Sequence, residues 1–158
     1  MLILGVDPGT ARLGWGVIAA EKMVACGCLE TKANRPEEER LNLLFSRLTK
    51  IIKKFKPACL AVEQIFFFKN QKTVIPVAQA RGVVLLAAAR QKLPVFSYTP
   101  LQIKIALTGY GRADKNQIQQ MVKAILKLDS IPQPDDAADA LAVAITYSFS
   151  QKLKSKLQ

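Results

Sequence analysis

The stretch "LILGVDPGTARLGWGVIAA", residues 2–20, contains two apolar runs separated by a short turn. The first run, residues 2–7, is almost wholly apolar and stops at Pro8 and Gly9, which is typical of a central strand covered on both faces. The second run and the following "KMVACGCLET" meet at residues 21–22 and predict an antiparallel hairpin. Three strands in succession are therefore expected, with Asp7 at the carboxyl end of the first.

Helices and further strands alternate along the rest of the chain. Apolar residues repeat at helical spacing from Leu41 to Phe55, and Asn34 and Glu37 before them resemble a capping box. "ACLAVEQ" (58–64) and "VFSY" (95–98) read as strands, and helices are predicted at 77–91, 115–128 and 135–148, with a further helix start at Thr99. The pattern indicates an α/β fold with a mixed five-stranded sheet flanked by helices.

The composition narrows the class of protein. A chain of 158 residues, half of them apolar, fits one domain, which we expect to span 1–150 and to be followed by a basic tail at 151–158. The 23 Lys and Arg outnumber the 12 Asp and Glu, and the net charge of +11 favours a polyanionic partner such as nucleic acid. Histidine is absent, which excludes Ser-His-Asp and Cys-His catalysis and any His-ligated metal.

Localisation and cysteine chemistry are predicted from what the sequence lacks. No apolar run approaches the roughly 20 residues that span a bilayer, and the N-terminus carries no basic leader. We therefore expect a cytoplasmic protein that does not contact a membrane. The three cysteines form no C-x-x-C pair, so neither a disulfide framework nor a zinc site is predicted.

Four carboxylates stand out as a possible set. Asp7 and Glu63 each lie near the end of a predicted strand, and the two would share a crevice if these strands are parallel neighbours. Asp136 and Asp139 are three residues apart, hence on one face of a helical first turn. Oxygen-only ligands suit Mg²⁺ or Mn²⁺, ions that promote phosphodiester cleavage. Each Asp alone is also explained by a turn or a helix cap, whereas a buried Glu63 needs a cation.

Five segments resemble the RuvC family of Holliday-junction resolvases in order and at the usual spacing. They are "GVDPGTARLGWGVI", "AVEQIFFFKN", "AQARGV", "GYGRADKNQIQQMV" and "PQPDDAADALAVAIT". The resemblance covers essentially the whole chain and implies a ribonuclease H-like fold and a homodimer. It also implies paired, Mg²⁺-dependent nicks in four-way DNA junctions during recombination and repair, with Mn²⁺ as a substitute ion and a branch-migration helicase complex as a further partner.

The resemblance also implies roles for individual residues. The catalytic and metal-binding carboxylates would be Asp7, Glu63, Asp136 and Asp139. Phe66, Lys104 and Lys115 match DNA-binding positions, and Lys69 and Arg112 join them as basic residues among Gly, Asn and aromatics. The family's D-A-A-D spacing selects Asp136, so the adjacent Asp135 is expected to cap the last helix. The helix at 77–91 is the expected dimer contact.

Three other functions remain open. A related ribonuclease H-like nuclease would act on RNA, and activity on ribose-containing substrates distinguishes it. A non-catalytic basic DNA-binding module would need neither metal nor a buried Glu63. An actin-like or sugar-kinase-like ATPase shares a "GVDPGT"-like phosphate loop, yet needs a second domain and a second glycine-rich loop for which 158 residues leave no room.

Overall fold

A five-stranded mixed sheet forms the centre of the protein in a computed structural model that describes residues 1–65 and 71–156. Its strands are β1 Leu2–Asp7, β2 Arg12–Ala19, β3 Lys22–Glu30, β4 Cys59–Glu63 and β5 Val95–Tyr98. They lie in the order β3-β2-β1-β4-β5, with β1, β2 and β3 antiparallel and with β4 parallel to both β1 and β5. The expected mixed sheet is confirmed, as is the parallel pairing of the strands that carry Asp7 and Glu63.

Helices cover both faces of this sheet. They are α1 Glu37–Phe55, α2 Gln71–Arg90, α3 Pro100–Thr108, α4 Lys115–Ile125 and α5 Asp135–Lys156. One core packs α1 and α2 against one face, and a second core packs α3, α4 and α5 against the other. α5 is buried without a break from Ala140 to Ser148, because it lies directly on β1 and β2. The longest apolar run of the C-terminal region is thus the inner layer of the second core.

Three strand glycines allow α5 to lie this close. A Cβ at Gly5 would stand 2.0 Å from the Ala140 carbonyl oxygen, and one at Gly14 would stand 1.9 Å from the Asp136 carbonyl oxygen. At Gly16 the obstacle would be the Leu141 side chain, at 2.6 Å. Since no Cβ tolerates such contacts, the glycines of "GVDPGTARLGWG" set the distance between helix and sheet.

Several helix boundaries differ from the sequence-based expectation, among them the end of α4, which stops at Ile125 and not at 128. The N-cap of α1 is Pro36 without a side-chain hydrogen bond, so the box predicted for Asn34 and Glu37 does not form. α2 begins six residues before the predicted start and contains Pro76, because a proline removes one intrahelical hydrogen bond without necessarily ending a helix. α5 continues through Lys152 and Lys154 to Lys156, so the described part of the predicted tail is helical.

α2 is also longer and more apolar than the sequence reading allowed. Residues Lys72–Arg90 reach a mean hydropathy of 1.3 over a length that could cross a membrane, and 22% of that window is buried in the chain. The expectation that no apolar run approaches the length needed to span a bilayer is therefore wrong for this helix. Its outward face exposes apolar surface instead of the charges usual on a surface helix.

Candidate active site

Asp7 and Glu63 lie side by side at the carboxyl ends of β1 and β4. The register pairs Val6 with Val62, one residue before each acid. Side chains alternate between the two faces of a strand, and Ile3 and Ala61 belong to the core beneath α5. Asp7 and Glu63 are in phase with these residues, so both carboxylates face the α5 layer.

The first turn of α5 brings Asp136 and Asp139 to the same place. Gly14 pairs with Asp7 in the sheet and lies against the backbone of Asp136. Burial raises the pKa of Asp7 to about 8, and the negative charges of Glu63, Asp139 and Asp136 add to the effect. The four acids predicted from the sequence therefore converge, and the pKa of Asp7 is raised by the charges of the other three.

Two of these acids form no ion pair within the part of the chain that the structure describes. Burial raises the pKa of Glu63 to about 7, with the charge of Asp139 adding to the rise and Lys104 opposing it. Burial likewise raises the pKa of Asp139, although the nearby Lys115 lowers it. No Lys or Arg in the described part of the chain forms an ion pair with Asp7 or Glu63. Half-buried carboxylates without partners are typical of functional sites.

Basic residues engage the other acids. Lys115 Nζ lies 3.2 Å from Asp139 Oδ2 and 3.4 Å from Asp135 Oδ2. Arg12 Nε lies 3.2 Å from Asp136 Oδ2. The expectation that Asp135 caps α5 is wrong, because Asp135 is already the first helical residue and its carboxylate pairs with Lys115. The D-A-A-D choice of Asp136 stays a prediction, although Asp136 acts on Asp7 whereas Asp135 is not among the charges that do.

A cavity of about 250 Å³ opens beside the carboxylates. Its lining includes Glu63 and Asp139 together with Lys104 and Lys115, above the apolar Ile103 and Ile118. Two predicted DNA-binding lysines thus lie at the acids. Arg112 is exposed on the loop between α3 and α4 and does not line the cavity. Phe66 and Lys69 lie outside the described residues.

The donor set suits a hard divalent ion in its chemistry. Four carboxylates supply only oxygen, the ligand that Mg²⁺ and Mn²⁺ prefer. Burial, with neighbouring negative charge added to it, raises the pKa values of Asp7 and Glu63, and a bound cation would offset both effects. As placed, no three Asp, Glu or Cys side chains among the described residues are arranged to hold an ion. Asp136 and Asp139 would have to turn from Arg12 and Lys115 to complete such a site.

Arg12 is a site residue that the sequence reading missed. It lies at the start of β2, five residues after Asp7, and pairs with both Asp136 and Glu30. The distance from Arg12 Nη2 to Glu30 Oε1 is 3.5 Å. A basic residue three positions after the Asp-Pro-Gly turn was the available signal. The pairing itself depends on α5 docking over β2, which local sequence does not reveal.

The raised pKa values predict how stability changes with pH when no metal is present. The folded chain holds protons on Asp7 and Glu63 that an unfolded chain, with ordinary values of 3.8 and 4.5, has released. Stability should therefore fall as pH rises from about 5 to about 8. Melting temperature measured across this window in chelating buffer checks it. The exposed-acid variant Asp129→Asn should keep the wild-type slope, and a melting temperature that rises through the window would contradict the assignment.

Known proteins resemble this chain in both sequence and structure. A family model described as "Crossover junction endodeoxyribonuclease RuvC" matches residues 3–147. A relative of that name from Pelotomaculum thermopropionicum is 54% identical over 164 residues, covering 99% of this chain and 100% of the relative. The structure of Thermus thermophilus RuvC is 35% identical with a TM-score of 0.91, covering 98% of this chain and 97% of that one. The structure of the same protein in complex with a Holliday junction substrate is 36% identical with a TM-score of 0.92, and it also covers 98% of this chain and 97% of that one. The expected ribonuclease H-like fold is confirmed, and the chain belongs to the RuvC family of crossover junction endodeoxyribonucleases.

Proposed function

We propose that this chain is an endodeoxyribonuclease that resolves four-way DNA junctions by paired, metal-dependent nicks in recombination and DNA repair. The observation that carries the proposal is the convergence of Asp7, Glu63, Asp136 and Asp139 at one end of the sheet. Relatives that share about half of its residues bear the name of this activity. A structural neighbour 36% identical to it was solved with a Holliday junction.

The four carboxylates would hold Mg²⁺, or Mn²⁺ in its place. When bound, such an ion supplies Lewis-acid stabilisation of the charge that develops on the cleaved phosphodiester and makes water a better nucleophile. Asp7 and Glu63 are fixed by adjacent strands, so their spacing is set by the sheet. Asp136 and Asp139 would leave Arg12 and Lys115, and both cations would then be available to phosphate oxygens.

A basic surface beside the acids supports DNA as the substrate. No Asp or Glu occurs between Glu63 and Asp114, whereas this segment contributes Lys104 and Arg112. Lys104 and Lys115 line the cavity with Glu63 and Asp139. Contacts of Phe66, Lys69 and Arg112 with the junction, and a branch-migration helicase complex as a partner, stay predictions from the family resemblance.

Cleavage assays on synthetic DNA test the proposal. A four-way junction and a linear duplex of the same sequence are incubated with the protein, with and without Mg²⁺, and the products are mapped on each strand. We expect symmetric nicks in the junction that require the ion. Equal cutting of the duplex, or cutting in chelator, would contradict the proposal. A junction with ribose near the cut separates the RNA-directed alternative, and tight binding without cutting would favour the non-catalytic module.

The outward face of α2 supports a homodimer. Ile75 and Leu86 are 68% and 53% exposed, and the small residues Ala78, Gly82 and Ala89 lie on the same face. A glycine inside an exposed helix costs about 0.5–1 kcal/mol relative to alanine, and among the described residues nothing beyond the helix's own nearby backbone lies within 4 Å of a Cβ at Gly82. A second copy approaching closely accounts for both features, and a C₂ pair would present two like sites to a junction.

Gly82→Glu is expected to break this dimer without unfolding the protomer. The position is exposed and a Cβ there has open space among the described residues, but in a two-fold contact the new side chain would bury a charge and face its own copy. We expect the dimer dissociation constant to rise at least about tenfold, equivalent to about 1.4 kcal/mol. Sedimentation velocity at micromolar concentration and far-UV circular dichroism check this. Ser46→Glu, on the exposed face of α1, is the matched control, and a Gly82→Glu protein that remains dimeric would rule out this face.

A further inference from the structure

A chain of side-chain hydrogen bonds fixes the turn that follows Asp7. The Thr10 hydroxyl donates to the Pro76 carbonyl in α2 at 2.6 Å, and the Thr31 hydroxyl donates to the Thr10 carbonyl at 2.6 Å. Arg40 Nε in α1 then donates to the Thr31 hydroxyl at 2.9 Å. Thr10 and Thr31 are both nearly fully buried. The turn, the end of β3 and both helices are thus held in one arrangement.

This arrangement borders a second cavity, of about 340 Å³ and open to solvent, which reaches the acid cluster through Arg12. It is lined by Gly9, Thr10, Ala11, Arg12, Arg40, Thr73, Pro76 and Val77. The charged residues of this lining are two arginines, and no acid belongs to it. Arg12 also contacts Asp136 at 3.2 Å, so the cavity and the acid cluster share one side chain.

Arg40 is held at this cavity, and its positive charge is not paired with a carboxylate of the described residues. Its Nε is fixed on Thr31, and within residues 1–65 and 71–156 no carboxylate lies within ion-pair distance of it. Its side chain is half-buried on the helix that packs over β2 and β3. A planar guanidinium anchored through one nitrogen still presents its two amino groups, which match two oxygens of a phosphate.

We infer that this second cavity binds a backbone phosphate of the DNA strand that is cut, one or more nucleotides from the cleaved bond. Arg40 is its fixed cation, and Arg12, which pairs with Asp136 in this structure, becomes available to the same phosphate when Asp136 turns to a metal ion. The inference rests on the proposed function, because it concerns how the same site binds its DNA substrate. A phosphate held here by a rigid brace would fix the strand's position relative to Asp7, which is separated from Thr10 only by Pro8 and Gly9.

The test measures junction binding in chelating buffer, where no cutting occurs, as a function of salt concentration. Arg40→Gln removes one phosphate contact, so its plot of log K against log salt should be shallower than the wild-type plot by about 0.9. Arg47→Gln is the matched control, because Arg47 is an exposed arginine of the same helix that donates to the Glu30 carbonyl at 3.1 Å and does not line the cavity. Its salt slope should equal that of the wild type.

A second arm locates the phosphate. Junctions are made in which one phosphate at a time, on either side of the cleaved bond, is replaced by an uncharged methylphosphonate. At one position the replacement should weaken wild-type binding but leave Arg40→Gln binding unchanged, which is the coupling expected of two groups in contact. If Arg40→Gln melts too low to be assayed, Arg40→Lys replaces it, and the loss at that position should shrink because the paired geometry is gone.

The outcomes separate the inference from the proposed function. An Arg40 variant with the wild-type salt slope and the wild-type response at every methylphosphonate position would overturn the phosphate subsite and leave Arg40 as a brace for Thr31. That result, obtained with a wild-type protein that binds and cuts junctions, leaves the proposed function intact. A wild-type protein that neither binds nor cuts junctions would overturn the function itself.

Discussion

Asp7→Asn is expected to lower single-turnover cleavage of a four-way junction by roughly 10³-fold or more, while junction binding without metal is retained. Asp7 is the carboxylate on which the charges of Glu63, Asp136 and Asp139 all act, so its amide removes the central donor of the set. Metal-based charge stabilisation is worth several kcal/mol, and each 1.36 kcal/mol corresponds to a tenfold change in rate. Binding survives because the basic cavity residues are unchanged.

The same variant should be more stable than the wild type in chelating buffer near pH 8. Its amide removes the half-buried acid whose pKa is raised to about 8 by burial and by its neighbours, and with it a source of repulsion. Asp129→Asn makes the same chemical change at an exposed acid and should alter neither cleavage nor melting. Quenched-flow cleavage, anisotropy of labelled junctions and thermal melts measure these effects. Cleavage within tenfold of wild type would remove Asp7 from the catalytic set.

Gly14→Ala is expected to damage both stability and cleavage through one contact. The new Cβ would lie 1.9 Å from the carbonyl oxygen of Asp136 and 3.0 Å from its Cβ, so the first turn of α5 must move. Overpacking of this kind costs about 1–3 kcal/mol, or a fall of about 2–12 °C in melting temperature at this chain length. A shift of about 1 Å in a catalytic group can cost 10²-fold in rate, and Asp136 and Asp139 would both shift.

Gly16→Ala is the matched comparison for this variant. It lies in the same strand, but its new Cβ would meet the Leu141 side chain at 2.6 Å and backbone only at 3.4 Å, an ordinary contact distance. A side chain can change rotamer, so we expect a smaller loss of stability and little loss of cleavage. Thermal melts and single-turnover rates of both variants in saturating Mg²⁺ measure the difference. Equal effects at the two glycines would show that the backbone position of α5 does not govern the site.

The sequence was sufficient for the sheet and for the convergence of the acids. The apolar run that stops at Pro8 defines β1, and Pro57 ends the preceding helix just before the apolar run of β4. An acid at the end of each strand then needs only parallel pairing to meet the other. The cap predicted for Asp135 was wrong because a lysine from α4 lies close enough to pair with it. Local sequence describes neighbours along the chain, whereas this contact comes from the docking of α4 beside α5.

The remaining site features required the tertiary structure for a similar reason. The early start of α2 was missed because Pro76 reads as a boundary, whereas its carbonyl accepts a hydrogen bond from Thr10 inside a continuous helix. The pairing of Arg12 with Asp136 joins residues from the second strand and the last helix. Such contacts leave no periodic signal in the sequence, so only the presence of basic residues near the acids could be anticipated.

Three of the four carboxylates come from the first strand and the last helix, and this has a consequence for how the protein is made. Asp7 lies in the first strand, and Asp136 and Asp139 lie in the last helix, which packs on that strand. A nascent chain that has not yet exposed residue 139 outside the ribosome lacks two of the four acids and the inner layer of one core. Phosphodiester-cutting activity should therefore arise only late in translation, and prematurely terminated products should be unable to nick the chromosome.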